Sequence, residues 1–338
     1  MPKFKLITDT LKVEEFWADT LFWLRKDFMK VNNVIIENLS NKVPLISQLA
    51  NYIFAAGGKR IRPLITLATS KLCGYVGERH INMAAAIEFI HTATLLHDDV
   101  VDESRTRRGK KSANIVWGNK SSILVGDFLL SKAFKLMIKD GSHECLEVLS
   151  DTSVKIAQGE ILQLNTEKNL NTTESVYLDI IEAKTGSLFS AASLVSGKIS
   201  NVNESLENAL RDYGNFLGIT FQIIDDVLDY CSEDLKLGKN IGDDFKESKV
   251  SLPIILAYQR SNKKEKKFWE KVIIENSQKI EDFIEAKEIL RNYNVVSDCY
   301  DKAKHFALIA KDSLGVFDDS KEKQRLINLV DIIVNRQN

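Results

Sequence analysis

Proline is scarce in this 338-residue chain, with four against sixteen glycines, so few positions are barred from continuing a helix. Clean alternation of apolar and polar residues is hard to find, which argues against a sheet protein. The four cysteines, Cys73, Cys145, Cys231 and Cys299, show no C-x-x-C or other metal-like spacing. They read as reduced thiols and exclude a disulfide framework. Charge of one sign is also missing: 46 Lys and Arg stand against 47 Asp and Glu. That balance excludes nucleic acid as the main partner, and any anion site must be local. No window of about 18 residues is free of charge, and the first twenty residues lack a continuous apolar h-region. The expectation is a soluble, cytoplasmic protein without a transmembrane segment.

Apolar residues do recur at three- and four-residue spacing, as in "VNNVIIENL", "INMAAAIEFIHTATLL", "SSILVGDFLLSKAFKLMI" and "LENALRDYGNFLGITFQIIDDVL". The chain therefore reads as nearly all helix. Polar turns are expected near 74–80, 139–144, 165–174, 198–204 and 261–265, giving about a dozen helices. No linker splits the chain, so one domain is expected over 1–338. Helices apolar most of the way round, "AAAIEFIHTATLL" above all, should lie inside a helical bundle.

The stretch "LLHDDVVDESRTRRG" (95–109) has a counterpart in "FQIIDDVLDY" (221–230), where D-D-x-x-D returns 127 residues later, again after an apolar run. Positions i and i+4 lie about 40° apart on a helix, so Asp98 and Asp102 share a face, as do Asp225 and Asp229. A lone copy reads as a solvated helix end. Two copies facing each other would gather four to six carboxylates, and unit charges about 4 Å apart repel by roughly 4 kcal/mol at an effective dielectric of about 20. A cation is required, and oxygen-only ligands with no histidine or cysteine cluster favour Mg²⁺ with substrate phosphates.

A basic set accompanies the acids. In "AAGGKRIRP" (55–63), Lys59, Arg60 and Arg62 enter a helix N-terminus marked by Pro63, where backbone N–H groups and the helix dipole suit an anion. Arg105, Arg107 and Arg108 follow the first aspartates, and guanidinium forks match phosphate oxygens. Further on come Lys184 and Thr185 in "AKTGSLF", then Lys239, Asp243, Asp244 and Lys249 in "GKNIGDDFKESKVSLP". These cations suffice for two diphosphates.

With "GGKRIRP", "HDDVVDESRTRRG", "AKTGSLF", "FQIIDDVLDY" and "GKNIGDDFKESKVSLP" in this order, the chain resembles the trans-isoprenyl diphosphate synthases from about residue 25 onward. The neighbourhood of its first aspartate motif is similar to the octaprenyl and related long-chain polyprenyl diphosphate synthases that make quinone side chains. The resemblance implies an all-α antiparallel helical bundle around a deep central cavity, a homodimer, and three Mg²⁺ ions with substrate bound. It implies transient membrane contact only for product release. Position by position it assigns Asp98, Asp102 and Asp225 as chief Mg²⁺ ligands, assisted by Asp99, Asp226 and Asp229. Arg107, Lys184 and Lys239 would hold the allylic diphosphate, with Thr185 and Gln222 along its path and Lys249 in the following loop. Lys59, Arg62, His91 and Arg108 would hold isopentenyl diphosphate, whereas His97 reads as structural. Two departures stand out. The loop usually written G-K-x-T-L-P is "SKVSLP" here, so Lys249 lacks its preceding glycine, and Arg105 is extra.

The implied reaction is ionisation of the allylic diphosphate, addition of isopentenyl diphosphate and loss of a proton, and it needs no nucleophilic side chain. The chain would grow along the helix before Asp98, past the small residues Ala93 and Thr94, where shorter-chain synthases carry an aromatic block. Phe89 and Ile90, or Leu130, Phe134 and Met137, are candidates for the tunnel floor. The expected product is therefore long. Farnesyl or geranylgeranyl length is the alternative, followed by a class I terpene cyclase or a non-catalytic subunit.

Overall fold

A computed structural model describes residues 3–55, 60–231, 242–275 and 277–336. Sixteen α-helices run through them: α1 (Lys3–Leu39), α2 (Pro44–Ala55), α3 (Ile61–Leu72), α4 (Arg79–Val101), α5 (Ala113–Trp117), α6 (Asn119–Asp140), α7 (His143–Thr166), α8 (Glu174–Ile181), α9 (Ser187–Ser200), α10 (Glu204–Cys231), α11 (Asp243–Lys246), α12 (Leu252–Arg260), α13 (Lys263–Trp269), α14 (Ile280–Asn292), α15 (Val295–Ser313) and α16 (Lys321–Asn335). The strands among the described residues are β1 (Thr106–Arg107) and β2 (Lys110–Lys111), paired antiparallel. All five expected turns fall between helices. The helix count exceeds the expected dozen because short helices such as α5, α11 and α13 carry too few turns for apolar periodicity to register.

α4 explains the bundle. Every residue from Met83 to Ile90 is buried, so this helix has no solvent face and is surrounded by α1, α3, α6 and α9. One core cluster joins these helices to the first half of α10. A second gathers α8, α12, α14 and α15 around the other half of α10, with Trp269 fully buried within it. α10 thus spans both cores.

Glycines set how closely the helices approach near α10. A Cβ on Gly218 would lie 2.8 Å from the Gly186 Cα, and one on Gly159 of α7 would lie 2.9 Å from the Ala183 Cβ. Between α8 and α9 the backbone makes a π-helical turn, Glu182–Gly186, a local widening common at functional sites. Among the described residues, no helix is long and apolar enough to cross a membrane.

Candidate active site

One cavity of about 910 Å³ lies between α3, α4, α7, α8 and α10. α4 ends at its rim, with Asp98 and Asp99 in its last turn and Asp102 as the C-cap. Asp98 and Asp102 line the cavity, and Asp225 and Asp226 of α10 line it from the other side. The two acidic helix segments thus meet across one space; the one-turn spacing holds for Asp98 and Asp102, whereas in the second motif the adjacent pair Asp225 and Asp226 lines the cavity and Asp229 does not.

Asp99 and Asp229 point elsewhere. Asp99 is buried and accepts from Arg107 Nε at 2.6 Å, and its carbonyl accepts from Asn114 Nδ2 at 2.9 Å. Burial raises its carboxyl against the pull of Arg107. At 100° per residue Asp99 leaves the face shared by Asp98 and Asp102. Asp229 accepts from the Asp244 backbone N–H at 3.1 Å and its carbonyl accepts from that of Gly242 at 3.2 Å. It anchors the following loop.

Arg107 and Arg108 stand on the β1–β2 hairpin, whose two turn residues, Arg108 (φ 50°) and Gly109 (φ 73°), are both left-handed. That is the turn whose twist matches paired strands. It carries Arg107 and Arg108 to the cavity wall, while Arg105 is exposed and lies off that wall.

Lys184 and Thr185 occupy the π-helical turn. Lys184 Nζ donates to Glu160 Oε2 at 2.7 Å and Gln163 Oε1 at 3.2 Å, with Asp98 Oδ2 at 3.8 Å. Burial first, then Asp98, pushes the Glu160 carboxyl up to about 7. Thr185 Oγ1 donates to Gln222 Oε1 at 2.9 Å, Gln222 Nε2 to Asp226 Oδ1 at 2.8 Å, and the Tyr177 hydroxyl to Asp226 Oδ2 at 2.6 Å. Burial, then repulsion from Asp244, raises Asp226 to about 8. Lys249 pairs with Glu247 at 2.7 Å, Asp102 at 3.2 Å and Asp244 at 3.8 Å. Its preceding Ser248 adopts φ 54°, the left-handed conformation a glycine takes freely. Ser248 thus holds a conformation that a glycine at this position would take more easily.

On the opposite wall, Arg62 in the first turn of α3 approaches His91 Nε2 at 3.1 Å and lies 4.7 Å over the Phe189 ring. A guanidinium can only donate, so this imidazole nitrogen accepts. Burial and then Arg62 hold His91 well below its ordinary value, so it is neutral. Burial lowers Arg62 to about 10, which leaves it charged at neutral pH. His97 instead covers Gly126, where a Cβ would meet its ring at 2.3 Å. Lys59 and Lys239 lie outside the described residues.

Besides Tyr177 and Glu247, four residues escaped sequence reasoning. Glu88 is a buried carboxyl on the cavity wall, raised by burial against Arg60 and Arg62. A lone acid inside "AAAIEFI" was the available signal. Glu160 and Gln163, one turn apart on α7, hold Lys184. Arg336, just after α16, donates to Asp225 at 2.9 Å and stacks 3.9 Å from the Phe221 ring.

The tunnel residues divide. Thr94 lines the cavity, but Ala93 is buried and does not. Five residues before Asp98, Ala93 lies about 140° round the helix from it. It sits one turn before His97, on the side that meets α6. Phe89, Ile90, Leu130, Phe134 and Met137 are likewise off the cavity wall, packed into the core.

The donor set suits a hard divalent ion. Asp98, Asp102 and Asp225 offer carboxylate oxygens to one cavity, and Glu160 Oε1 is buried with no hydrogen-bond partner. Among the described residues no group of three or more His, Cys, Asp or Glu side chains is already placed to hold a metal ion by itself.

The Polyprenyl synthetase family profile matches residues 43–290. The chain is 42% identical to the octaprenyl diphosphate synthase of Escherichia coli (strain K12) over 313 residues, 92% of this chain and 96% of that protein. A polyprenyl synthase from Caulobacter crescentus CB15, solved with calcium and isoprenyl diphosphate, superposes with a TM-score of 0.92 at 43% identity, covering 95% and 98% of the two chains. A decaprenyl diphosphate synthase from Rhodobacter capsulatus gives 0.90 at 42%, covering 95% and 99%. Acidic helix ends facing across a cation-walled cavity are thus found in a chain aligned almost end to end with prenyl diphosphate synthases: it belongs to the polyprenyl synthetase family and is a prenyltransferase.

Proposed function

We propose that the protein is a long-chain trans-polyprenyl diphosphate synthase, of octaprenyl length, which extends an allylic primer such as farnesyl diphosphate with isopentenyl diphosphate to supply a quinone side chain. The observation that carries this reading is the single cavity with Asp98, Asp102 and Asp225 at its mouth, Lys184 and Arg107 on one side, and Arg62 and His91 on the other. Asp98, Asp102 and Asp225 would hold Mg²⁺, three ions with substrate bound, which when present stabilise the leaving diphosphate. Arg107 and Lys184 bind and orient the allylic diphosphate and counter the charge that develops as the C–O bond breaks. Lys239 belongs with them. Arg62, Arg108 and Lys59 hold isopentenyl diphosphate, and neutral His91 fixes Arg62 in place. Thr94, Leu95, Ile180 and Ile181 exclude water from the allylic cation. The relatives of octaprenyl and decaprenyl length support a long product.

A shorter product, of farnesyl or geranylgeranyl length, is the second reading. One observation favours it: no residue of α6 lines the cavity, and Ala93 is packed instead of open. Incubation with labelled isopentenyl diphosphate, farnesyl diphosphate and Mg²⁺, followed by chromatography, decides. An octaprenyl-length band is expected, and accumulation at geranylgeranyl length would overturn the first reading. The exposed Ile115, Val116, Ile123 and Leu124 of α5 and α6 offer an apolar face to a second copy. Sedimentation velocity should accordingly give a dimer. The four free cysteines suit a cytoplasmic setting.

A further inference from the structure

Gln163 holds no part in the reaction described above, and of Glu160 only the unpartnered Oε1 was counted toward a cation, yet both reach the ammonium of Lys184. The Nζ donates to Glu160 Oε2 at 2.7 Å and to Gln163 Oε1 at 3.2 Å. Asp98 Oδ2, at 3.8 Å, lies beyond hydrogen-bond distance but within ion-pair range, so the lysine already feels its charge. Lys184 thus stands between two carboxylates and is bonded to the one on α7. The approach of α7 depends on Gly159, where a Cβ would come within 3.0 Å of the Lys184 backbone nitrogen. A buried ammonium needs a counter-charge, and a lysine stem swings readily to find one. If the Glu160 charge were lost, the next anion within reach of Lys184 would be Asp98. Gln163, being neutral, could not compete.

We propose that Glu160, seconded by Gln163, is a positioning residue that holds Lys184 off Asp98, so the lysine stays turned toward the substrate's diphosphate and the Asp98 carboxylate stays open to a divalent cation. The inference rests on the reading of Asp98 as a metal ligand and of Lys184 as a diphosphate contact. It explains why an acid stands beside a site that already repels acids: Glu160 decides which carboxylate the lysine neutralises.

The test uses the full-length protein and no turnover. Calorimetric titration with inorganic pyrophosphate at a series of Mg²⁺ concentrations gives the Mg²⁺ level at which half the protein binds pyrophosphate. Glu160→Gln should raise that level about tenfold, because Mg²⁺ must now displace Lys184 from Asp98. The double variant Glu160→Gln with Gln163→Glu, which moves the charge one turn along α7, should restore it. In a Lys184→Ala background, Glu160→Gln should change nothing further. A Mg²⁺ requirement within twofold of wild type for Glu160→Gln would overturn the proposal. So would a tenfold shift that persists without Lys184, since Glu160 would then act on the cation by its own charge. Wild type that bound no pyrophosphate in the presence of Mg²⁺ would overturn the metal-site reading as well, an outcome distinct from the other two.

Discussion

The two walls of the cavity hold their cations in different ways. On the α7–α10 wall each is tied to a carboxylate: Lys184 to Glu160, Lys249 to Glu247 and Asp102, and Arg336 to Asp225. On the α3–α4 wall, Arg62 meets a neutral imidazole and an aromatic face, and Arg60 meets the Asn32 side chain and the Phe54 ring. The contrast has a physical reading. A cation already bonded to an acid meets a diphosphate only once that acid's charge is offset, whereas an arginine bonded to neutral partners, even with the buried Glu88 carboxyl nearby, meets one directly. On the proposed reading, ionisation belongs on the first wall and uniform binding on the second.

The strongest way to break this comparison is to remove its acids. Asp98→Ala or Asp225→Ala should cut steady-state turnover by roughly 10³-fold or more. Melting with a chelator present should show unchanged or raised stability for Asp98→Ala, because burial and Asp102 already disfavour the Asp98 charge against the pull of Lys184. Near-normal Mg²⁺-dependent turnover in either variant would remove the metal assignment.

The next effect separates the walls. Lys184→Ala should lower single-turnover ionisation of the allylic substrate by about 10²-fold, whereas Arg62→Ala should mainly raise the KM for isopentenyl diphosphate by a similar factor. Slowed allylic hydrolysis by Arg62→Ala in the absence of isopentenyl diphosphate would show that the walls are not divided in this way.

Smaller changes sharpen the structural side. Tyr177→Phe removes a 2.6 Å donor from the buried Asp226 and should cost about 1–3 kcal/mol in denaturant unfolding, the penalty of a buried acceptor left unsatisfied. A change below the measurement error would place that hydroxyl in solvent.

The smallest effect concerns pH. His91 is held well below its ordinary value when folded, so below about 6.5 the unfolded chain takes up a proton that the folded one does not. Its contribution is intact above that pH and is lost as pH falls, by up to about 1.4 kcal/mol per unit. The raised carboxyls Asp98, Asp99 and Glu88 act in the opposite sense. The informative quantity is therefore wild type minus His91→Gln at pH 7.0 and 5.5, and it should narrow against wild type at the lower pH.

Much of this was legible in the sequence because it rests on local spacing. The all-helical fold followed from apolar periodicity, and the facing of Asp98 with Asp102 followed from one helical turn. What was not legible depends on contacts between helices distant in sequence. Glu160 reaches Lys184 only because Gly159 lets α7 approach a π-helical turn, and no period reports such a turn. Tyr177 meets Asp226 from a helix 49 residues away in sequence. Ala93 shows the limit of reading size alone: a small residue can mark an open wall or a close helix contact, and this one is buried off the cavity lining.

The π-helical turn at Glu182–Gly186 carries a consequence of phase. Such a turn holds one residue more than a regular α turn, so α8 and α9 are set about 100° out of the register that an unbroken helix would give them. Deleting Glu182 would leave every motif legible and the helix more regular, yet it would rotate Tyr177 about a quarter-turn away from Asp226 or swing Phe189 out from beneath Arg62. In this part of the chain the count of residues matters as much as their kind, and a deletion that a smooth helix would welcome would take the two walls of the cavity out of step.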